Sequence, residues 1–205
     1  RGAIVDMGGL GCPAATSLVA AGVGTLNIID GDTVDLSNLH RQHLYKPVDI
    51  GKDKVNVAKR ALENISGQTK IIAFDNFLNQ SNAKSCFENI DIIIDATDNI
   101  ASRQIIDKVS KDENIPMVYG SLYRFEGQVG VFNVGNKIGY SELFPDGISG
   151  GKTCEEAGVV GMLPSIIGNM QALEAIKLIV NLEPNLIGKL LIYDSLQHKT
   201  EVIAL

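Results

Sequence analysis

The sequence predicts a doubly wound α/β fold, with a mostly parallel sheet and antiparallel strands near its C-terminus. Strand and helix signals alternate through the first 120 residues, which implies right-handed crossovers and helices on both faces of the sheet. The run IDIIIDAT at 90–97 is almost entirely apolar until it ends in polar residues, as a strand covered on both faces would be. A glycine turn at 8–11 stands between a strand and a helix.

The elements of the first 120 residues follow from apolar spacing and from helix start and stop signals. Pro13 stands near a first helical position and Gly22 follows the last one, so a helix is predicted over 13–21. Over 53–65 the apolar residues fall on one side of a second helix. Strands are predicted at 3–6, 25–30, 70–74, 90–95 and 116–120, and further helices near 83–88 and 101–113.

The pattern changes after residue 120. Residues 128–134 alternate only weakly, residues 135–161 are rich in glycine and polar side chains, and 164–180 predicts a long helix. Segments 190–193 and 201–205 are closing strands that can pair antiparallel. We expect 146–158 to form a mobile loop. A length of 205 residues fits one large domain.

Composition narrows the class of protein. A net charge of −6 and a pI near 5.0 argue against a nucleic-acid partner. No apolar stretch reaches the ~20 residues that a membrane-spanning helix needs. Cys12, Cys86 and Cys154 form no CxxC pair, which favours reduced thiols in a cytoplasmic protein. The chain runs directly into its first strand without a signal peptide, and we expect an N-terminal segment to precede it.

The first strand, the glycine turn and the second strand predict a nucleotide site. Gly9 and Gly11 let the backbone approach phosphates, and the helix that follows offers free N–H groups and a partial positive charge. Asp30 ends the second strand, where a carboxylate can accept hydrogen bonds from ribose hydroxyls. Alone, these features indicate a Rossmann-like dinucleotide enzyme, and an NAD-dependent oxidoreductase is one alternative. A plain tight bend is another.

The residues after Asp30 favour a different enzyme class. The segment DGDTVDLSNLHRQ at 30–42 resembles the MoeB/ThiF/HesA family, a branch of the superfamily that includes ubiquitin-activating enzymes. Further matches follow in the family's order and cover nearly the whole chain: IGKDKV at 50–55, DATDN at 95–99, RFEGQV at 124–129, TCEEAGV at 153–159 and QALEAIKL at 171–178. The resemblance implies one Rossmann-like adenylation domain over 1–205, with 146–158 as its crossover loop.

The same resemblance implies the reaction and the partners. A member of this family adenylates the C-terminal Gly-Gly carboxylate of a small ubiquitin-like sulfur-carrier protein, similar to MoaD or ThiS, and releases pyrophosphate. ATP and Mg²⁺ are then the cofactors, and a homodimer is expected. The carboxylate attacks the α-phosphate of ATP, so the protein mainly positions the reactants and stabilises negative charge.

The resemblance also assigns roles to residues. Arg41 offers a planar fork to phosphates and Lys54 a compact charge, while Asp98 suits Mg²⁺, which prefers carboxylate oxygens. Cys154 matches a cysteine that some family members use in a covalent intermediate. The residues expected to contact the nucleotide are Gly9, Gly11, Asp30, Ser37, Asn38, Arg41, Lys54, Asp98 and Asn99.

Each of these residues has a plainer interpretation. Arg41 and Lys54 could be surface charges, and Asp98 or Asn99 could cap the following helix. Cys154 could be an inert thiol. For the rest the plainer interpretation is preferred: Arg103 as an ion-pair partner, Cys12 and Cys86 as packed side chains, and His40, His43 and His198 as polar packing.

Three departures from the family pattern remain. Gly139 and Glu142 stand where many relatives carry the first CxxC pair of a zinc site, and no later pair exists, so no zinc is expected. Asp6 replaces a glycine of the turn and brings negative charge towards phosphates, unless it points away or pairs with a cation such as Arg1. Family dimers lend an arginine to the partner's ATP from an N-terminal segment that this sequence does not include. Asp6 and the missing cysteine pairs lead to a third hypothesis, a non-catalytic scaffold that binds a ubiquitin-like protein.

Overall fold

The structure is a computed structural model that describes residues 1–145 and 160–205. The strands are β1 (Gly2–Val5), β2 (Thr25–Ile29), β3 (Lys70–Phe74), β4 (Ile92–Asp95), β5 (Met117–Tyr123), β6 (Glu126–Phe132), β7 (Lys189–Asp194) and β8 (Lys199–Ala204). The helices are α1 (Gly11–Ala20), α2 (Lys54–Glu63), α3 (Ala83–Cys86), α4 (Ile100–Glu113), α5 (Tyr140–Leu143) and α6 (Met162–Ile179). Two short 3₁₀ turns, Leu36–Asn38 and Pro47–Asp49, lie between β2 and α2.

The strands form one sheet in the order β3-β2-β1-β4-β5-β6-β7-β8. Strands β1 to β5 pair in parallel, and β6, β7 and β8 pair antiparallel. The predicted fold class is therefore confirmed. In the register of β1, Ile4 lies between Ile28 of β2 and Ile94 of β4. The chain runs from β1 outward through β2 to β3 and then crosses to β4 on the other side of β1. Such a reversal of strand order opens a crevice at the carboxyl ends of the strands.

Helices cover both faces of the sheet, and β4 shows why its sequence is continuously apolar. Ile92 and Ile94 pack into the core under α1, α2 and α6, and Ile93 packs into the core under α3, α4 and α5. All three side chains are at most 1% exposed. Burial of each contributes about 1.5–3 kcal/mol. A polar residue at any of these positions would lack a partner on either face.

Most predicted elements are present, with shifts at their ends. The closing strands pair antiparallel as predicted, and α4 begins one residue before the predicted start. The clearest error lies in the middle of the sheet. There β5 continues to Tyr123, beyond the predicted strand at 116–120. It forms a hairpin with β6, which begins at Glu126, where the weak alternation of residues 128–134 had predicted no strand. The predicted mobile loop at 146–158 lies outside the described residues.

The long helix α6 connects the C-terminal half of the chain to the glycine turn. A Cβ added at Gly168 would lie 2.3 Å from the carbonyl oxygen of Leu10, and one added at Gly9 would lie 3.0 Å from the Cβ of Pro164. Helix α6 therefore packs against the beginning of α1 at backbone distance. Among the described helices none has the length and apolarity that a membrane crossing requires.

Candidate functional site

A cavity lies at the carboxyl ends of β1 and β4, where the strand order reverses. We call it the switch-point cavity. Its described lining residues are Val5, Asp6, Gly8, Gly9, Leu10, Ile29, Asp30, Asp32, Asn38, Arg41, Gln42, Lys54, Phe77, Leu78, Ala96, Thr97, Asp98, Asn99, Ser102, Leu122 and Pro164. Ligands of open α/β sheets bind at this position of the fold. The structure thus brings the predicted cations, the predicted metal ligand and the glycine turn to one cavity.

The glycine turn lines the cavity and includes backbone donors that have no partner within the described chain. Within the described chain, the N–H groups of Gly9 and Leu10 donate no hydrogen bond. Gly11 begins α1, and a Cβ there would lie 1.9 Å from the carbonyl oxygen of Asp6, so the turn closes only with glycine at this position. The free donors and the positive end of the helix dipole make the turn suitable for phosphate oxygens.

Asp6 points into the site rather than towards Arg1. Its backbone has φ 77°, a left-handed conformation that favours glycine. Its Oδ1 accepts a hydrogen bond from the N–H of Gly8 at 2.6 Å. Burial, followed by the negative charge of Asp30, raises the pKa of the Asp6 carboxyl well above 3.8, its ordinary value. Asp6, which departs from the family pattern, therefore lies within the cavity, and its carboxylate accepts from one N–H donor of the turn.

Asp30 is 5% exposed and holds the turn in place. Its Oδ2 accepts from the N–H of Met7 at 2.8 Å, and its Oδ1 accepts from the N–H of Asp32 at 2.8 Å. Burial raises the pKa of its carboxyl, against the opposing effect of Lys54. Each carboxylate oxygen has a second lone pair, so the predicted ribose contact is compatible with these bonds.

Lys54 opens α2 and reaches into the cavity with its side chain 6% exposed. Its Nζ lies 3.0 Å from Oδ2 of Asp32 and 3.9 Å from Oδ2 of Asp30. Burial opposes the charge, but the carboxylates of Asp30, Asp6 and Asp32 outweigh it and raise the pKa of the Lys54 ammonium. The alternative of a solvated surface charge is wrong. Lys54 is a buried cation, and its charge is held in the cavity by acidic neighbours.

Arg41 lines the cavity next to the glycine turn and is partly buried. A Cβ added at Gly9 would lie 3.6 Å from the Cδ of Arg41. Its Nη1 donates to the carbonyl oxygen of Ser37 at 3.2 Å and lies 3.0 Å from Nε2 of His40. Asn38, also in the lining, accepts from the side chain of Gln42 at 2.6 Å. The loop between β2 and α2 thus holds the guanidinium beside the turn.

Asp98 and Asn99 follow β4 and have separate roles. The Asn99 side chain accepts from the N–H of Ser102 and caps α4, so the capping alternative is confirmed for Asn99. Within the described chain, the exposed carboxylate of Asp98 makes no hydrogen bond or salt bridge. Arg103 donates to the carbonyl oxygen of Thr97 at 2.6 Å and lies 3.7 Å from Asp95. Arg103 is therefore the buried ion-pair partner that was predicted.

Two predicted site residues of the described chain do not line the cavity. Gly11 is buried beneath the turn, and the exposed Ser37 accepts from Arg41 through its carbonyl oxygen instead of facing the cavity. Cys154 lies outside the described residues. Cys12 is 1% exposed, and burial raises the pKa of its thiol to about 12, so the packed interpretation is confirmed.

Sequence reasoning missed several lining residues. Asp32 is the nearest ion-pair partner of Lys54, at 3.0 Å. Its position two residues after Asp30 could have indicated that it lies in the site. Phe77 and Leu78 come from the loop after β3, and Leu122 and Pro164 come from β5 and α6. No local pattern marks these four, because only the packing of distant segments brings them to the cavity.

Known proteins resemble this chain over nearly all of its length. A model of the ThiF family matches residues 1–205. The chain is 44% identical over 206 residues to an adenylyltransferase and sulfurtransferase MOCS3 of Caenorhabditis briggsae, covering 98% of this chain and 51% of that protein. It is 37% identical over 201 residues to a sulfur carrier protein adenylyltransferase of Thermus thermophilus, covering 95% of this chain and 74% of that protein.

A solved structure shares the fold. The crystal structure of PaaA superposes with a TM-score of 0.84 at 29% identity, over 99% of this chain and 63% of that one. The chain spans about half the length of most of the curated relatives that it matches, 51% for the Caenorhabditis protein.

Proposed function

The chain belongs to the ThiF family, and from this premise we propose that it uses ATP to adenylate the C-terminal carboxylate of a small sulfur-carrier protein. One observation carries the proposal. Arg41, Lys54 and Asp98 line the same cavity as the free N–H groups of the glycine turn. Two cations, a backbone anion cradle and an unpaired carboxylate are what a metal-bound triphosphate requires. Relatives named as adenylyltransferases favour this reaction over hydride transfer to NAD.

The proposed reaction needs no side-chain nucleophile. An oxygen of the carrier carboxylate attacks the α-phosphorus of ATP, the bond to the bridging oxygen breaks, and pyrophosphate leaves with the electron pair. Arg41 and Lys54 would bind the phosphate oxygens on which negative charge grows. The acidic neighbours of Lys54 keep it protonated, so its full charge is available to the transition state. Asp30 would orient the ribose and thereby the α-phosphate.

Mg²⁺ fits the residues that are present. Asp6 and Asp30 already accept backbone hydrogen bonds, whereas Asp98 has no such partner within the described chain. The described residues contain no group of three or more potential metal-binding side chains. A single free carboxylate is sufficient for Mg²⁺, which often binds through one or two carboxylates and the substrate's phosphates. Asp98 would hold the ion, and the ion would neutralise negative charge on the phosphates.

The finer features of the proposal come from the family resemblance. We propose that residues 1–205 act as one adenylation domain, that the carrier is ubiquitin-like and ends in Gly-Gly, and that the protein works in the cytoplasm as a homodimer. Ser37 would support the site through its contact with Arg41. Cys154 is the candidate for a covalent step, which the adenylation itself does not require.

The proposal is tested by ATP–pyrophosphate exchange with a Gly-Gly carrier. Lys54→Ala and Asp98→Ala should each lower the carrier-dependent exchange rate at least about 100-fold, because each removes charge stabilisation of the transferring phosphate. Lys52→Ala and Asp112→Ala are matched controls: both residues are exposed, pair with near neighbours and do not line the cavity. Exchange at the native rate in Lys54→Ala or Asp98→Ala would remove the proposed site.

A second candidate is a scaffold that binds a ubiquitin-like protein without catalysis. The observation that favours it is Asp6, whose carboxylate accepts a hydrogen bond from the N–H of Gly8 in the glycine turn that would hold the phosphates. Calorimetry separates the two functions. A scaffold would bind the carrier and fail to bind ATP at millimolar concentration, whereas the adenylating enzyme binds both.

A further inference from the structure

A buried glutamine of α6 joins the carboxyl ends of β4 and β5. Gln171 is 0% exposed, and its Nε2 donates to the carbonyl oxygen of Asp95 at 2.7 Å and to that of Val118 at 3.2 Å. The side chain fits because residue 120 is glycine: a Cβ added at Gly120 would lie 2.4 Å from Cδ of Gln171. Its Oε1 has no hydrogen-bond partner within the described chain. Burial of such an atom is costly, so packing alone does not explain a glutamine here.

A buried arginine of α4 holds the same strand ends from the other face of the sheet. Arg103 is 6% exposed, and its Nη2 donates to the carbonyl oxygen of Thr97 at 2.6 Å and to that of Gly120 at 3.3 Å. Its guanidinium carbon lies 5.1 Å from the ring centroid of Tyr119, which supports it from below. We call Gln171 and Arg103 together the β4 clamp, because both connect the end of β4 to β5.

The segment that the β4 clamp holds leads directly to Asp98. The carbonyl oxygen of Thr97 and the backbone nitrogen of Asp98 belong to one planar peptide group, so the bond from Arg103 fixes that plane. The carboxylate of Asp95 also accepts from the N–H of Thr97 at 3.0 Å and from its hydroxyl at 2.6 Å. On the other side, Asn99 caps α4. The residues before and after Asp98 are thus both held, whereas its own carboxylate is exposed in the cavity.

We propose that Gln171 and Arg103 are positioning residues that hold Asp98 where the Mg²⁺ ion of an Mg²⁺–ATP complex can reach it. The proposal rests on the proposed function, since it takes Asp98 as the ligand of that ion. Neither residue is among the described lining residues of the cavity, so both act through the backbone of the segment and not by contact with the nucleotide. Metal affinity depends on how well a ligand is oriented by the groups behind it.

Calorimetry tests the β4 clamp through the strengthening of ATP binding by Mg²⁺, measured as the ratio of the ATP dissociation constants in EDTA and in excess Mg²⁺. Gln171→Met keeps the volume of the side chain and removes its donor. It should lower this ratio about tenfold, since loss of a group that orients a metal ligand weakens metal affinity by about 10–100-fold. Its ATP affinity in EDTA should match that of the unchanged chain, because the position of Asp98 matters only when the ion is bound.

Arg103→Lys is the conservative second variant. Lysine keeps a positive charge beside the buried Asp95 and lacks the planar fork that reaches two carbonyl oxygens. The ratio should therefore fall in Arg103→Lys as well, and the retained charge avoids leaving Asp95 buried without a cation.

Glu174→Met is the matched control for a general loss of stability. Glu174 lies on the same helix, is 4% exposed and accepts from the N–H of Leu186 at 2.9 Å, away from Asp98. This variant should lower the melting temperature and leave the Mg²⁺ ratio unchanged. An equal fall of the ratio in Glu174→Met and Gln171→Met would show that the effect is only structural and would overturn the proposal.

A double variant shows whether the β4 clamp acts through Asp98. Asp98→Ala removes the proposed ligand, so adding Gln171→Met to it should lower the ratio no further. A further tenfold fall, or a native ratio in both Gln171→Met and Arg103→Lys, would overturn the positioning role, while carrier-dependent exchange by the unchanged chain upheld adenylation. Absence of ATP binding to the unchanged chain would overturn both.

Discussion

Asp6 combines two unfavourable features in one residue. Its φ of 77° belongs to the left-handed region, where a side chain is strained, and its carboxylate shares a partly buried space with Asp30 and Asp98. The N–H of Gly8 compensates in part by donating to it. The carboxylate therefore takes the place that an oxygen of a ligand phosphate could occupy, and glycine at this position would leave the donor free.

Asp6→Gly should stabilise the fold, and the gain should depend on pH. Relief of the left-handed strain contributes about 1 kcal/mol. The raised pKa of the Asp6 carboxyl means that its effect on stability becomes unfavourable as pH rises above 3.8, towards and through the raised value. The free energy of unfolding, measured by urea titration, should thus increase more at pH 8 than at pH 5.

Asp6→Asn separates the two contributions. Asparagine tolerates positive φ better than most residues and carries no charge, so this variant should show the pH-dependent gain without most of the constant one. An equal gain for Asp6→Gly at both pH values would contradict the electrostatic argument, and a loss would contradict the strain argument as well.

The short helix α5 is held by a side chain from α4. The carboxylate of Asp107, 5% exposed, accepts from the N–H groups of Tyr140 and Ser141 at 2.9 and 3.1 Å and from Nδ2 of Asn133 at 2.9 Å. It thus satisfies the free donors at the start of α5, as a capping residue would. In this segment, where the family resemblance had suggested a comparison with a cysteine pair, a buried carboxylate connects the elements.

Asp107→Ala should lower the free energy of unfolding by about 2–3 kcal/mol. The substitution leaves buried donors of α5 and of Asn133 without an acceptor, and each such group is costly. Lys111→Ala is the matched control, because Lys111 joins the same two helices through an exposed salt bridge to Glu142. Its loss should stay below about 1 kcal/mol. Urea titration measures both values, and equal losses would show that the buried carboxylate has no special role.

Regular elements were predictable where local signals were strong. The apolar run of β4 and the asparagine before α4 predicted those elements closely. The β5–β6 hairpin was missed for two physical reasons. Glycines at 127 and 130 interrupt its alternation, and its turn places Arg124 at φ 53°, where glycine or asparagine would have signalled a turn. Helix α5 is four residues long, too short for a periodic pattern, and depends on Asp107.

The site residues show the same contrast between positions with local sequence signals and positions that depend on packing. Asp30, Lys54 and Asp98 stand at or just beyond the ends of a strand or at the start of a helix, so a parallel sheet with crossovers already predicts that they meet at one edge. Their roles in binding remain predictions. Phe77 and Pro164 could not be predicted, because the first depends on the loop conformation fixed by asparagines and the second on how α6 packs across the turn.

The packing of α6 against α1 connects the C-terminal half of the chain to the phosphate cradle. At Gly168 the two elements approach so closely that a Cβ would lie 2.3 Å from the carbonyl oxygen of Leu10 and 2.8 Å from Cγ of Pro13. Leu10 belongs to the glycine turn that lines the cavity. A side chain at position 168 must therefore displace either α6 or the turn, although Gly168 does not line the cavity.

Gly168→Ala should consequently weaken two properties together. In a helix without this contact, alanine in place of glycine would gain up to about 1 kcal/mol. Here the overlap with backbone should reverse the sign and lower the free energy of unfolding by about 1–3 kcal/mol. Calorimetry should also show weaker binding of ATP and of tripolyphosphate, because the cradle is displaced. Gly67→Ala, at an exposed position with no atom within 4 Å of the added Cβ, should change neither property. A destabilised Gly168→Ala variant that keeps native affinity for both ligands would show that α6 supports the fold without shaping the cradle.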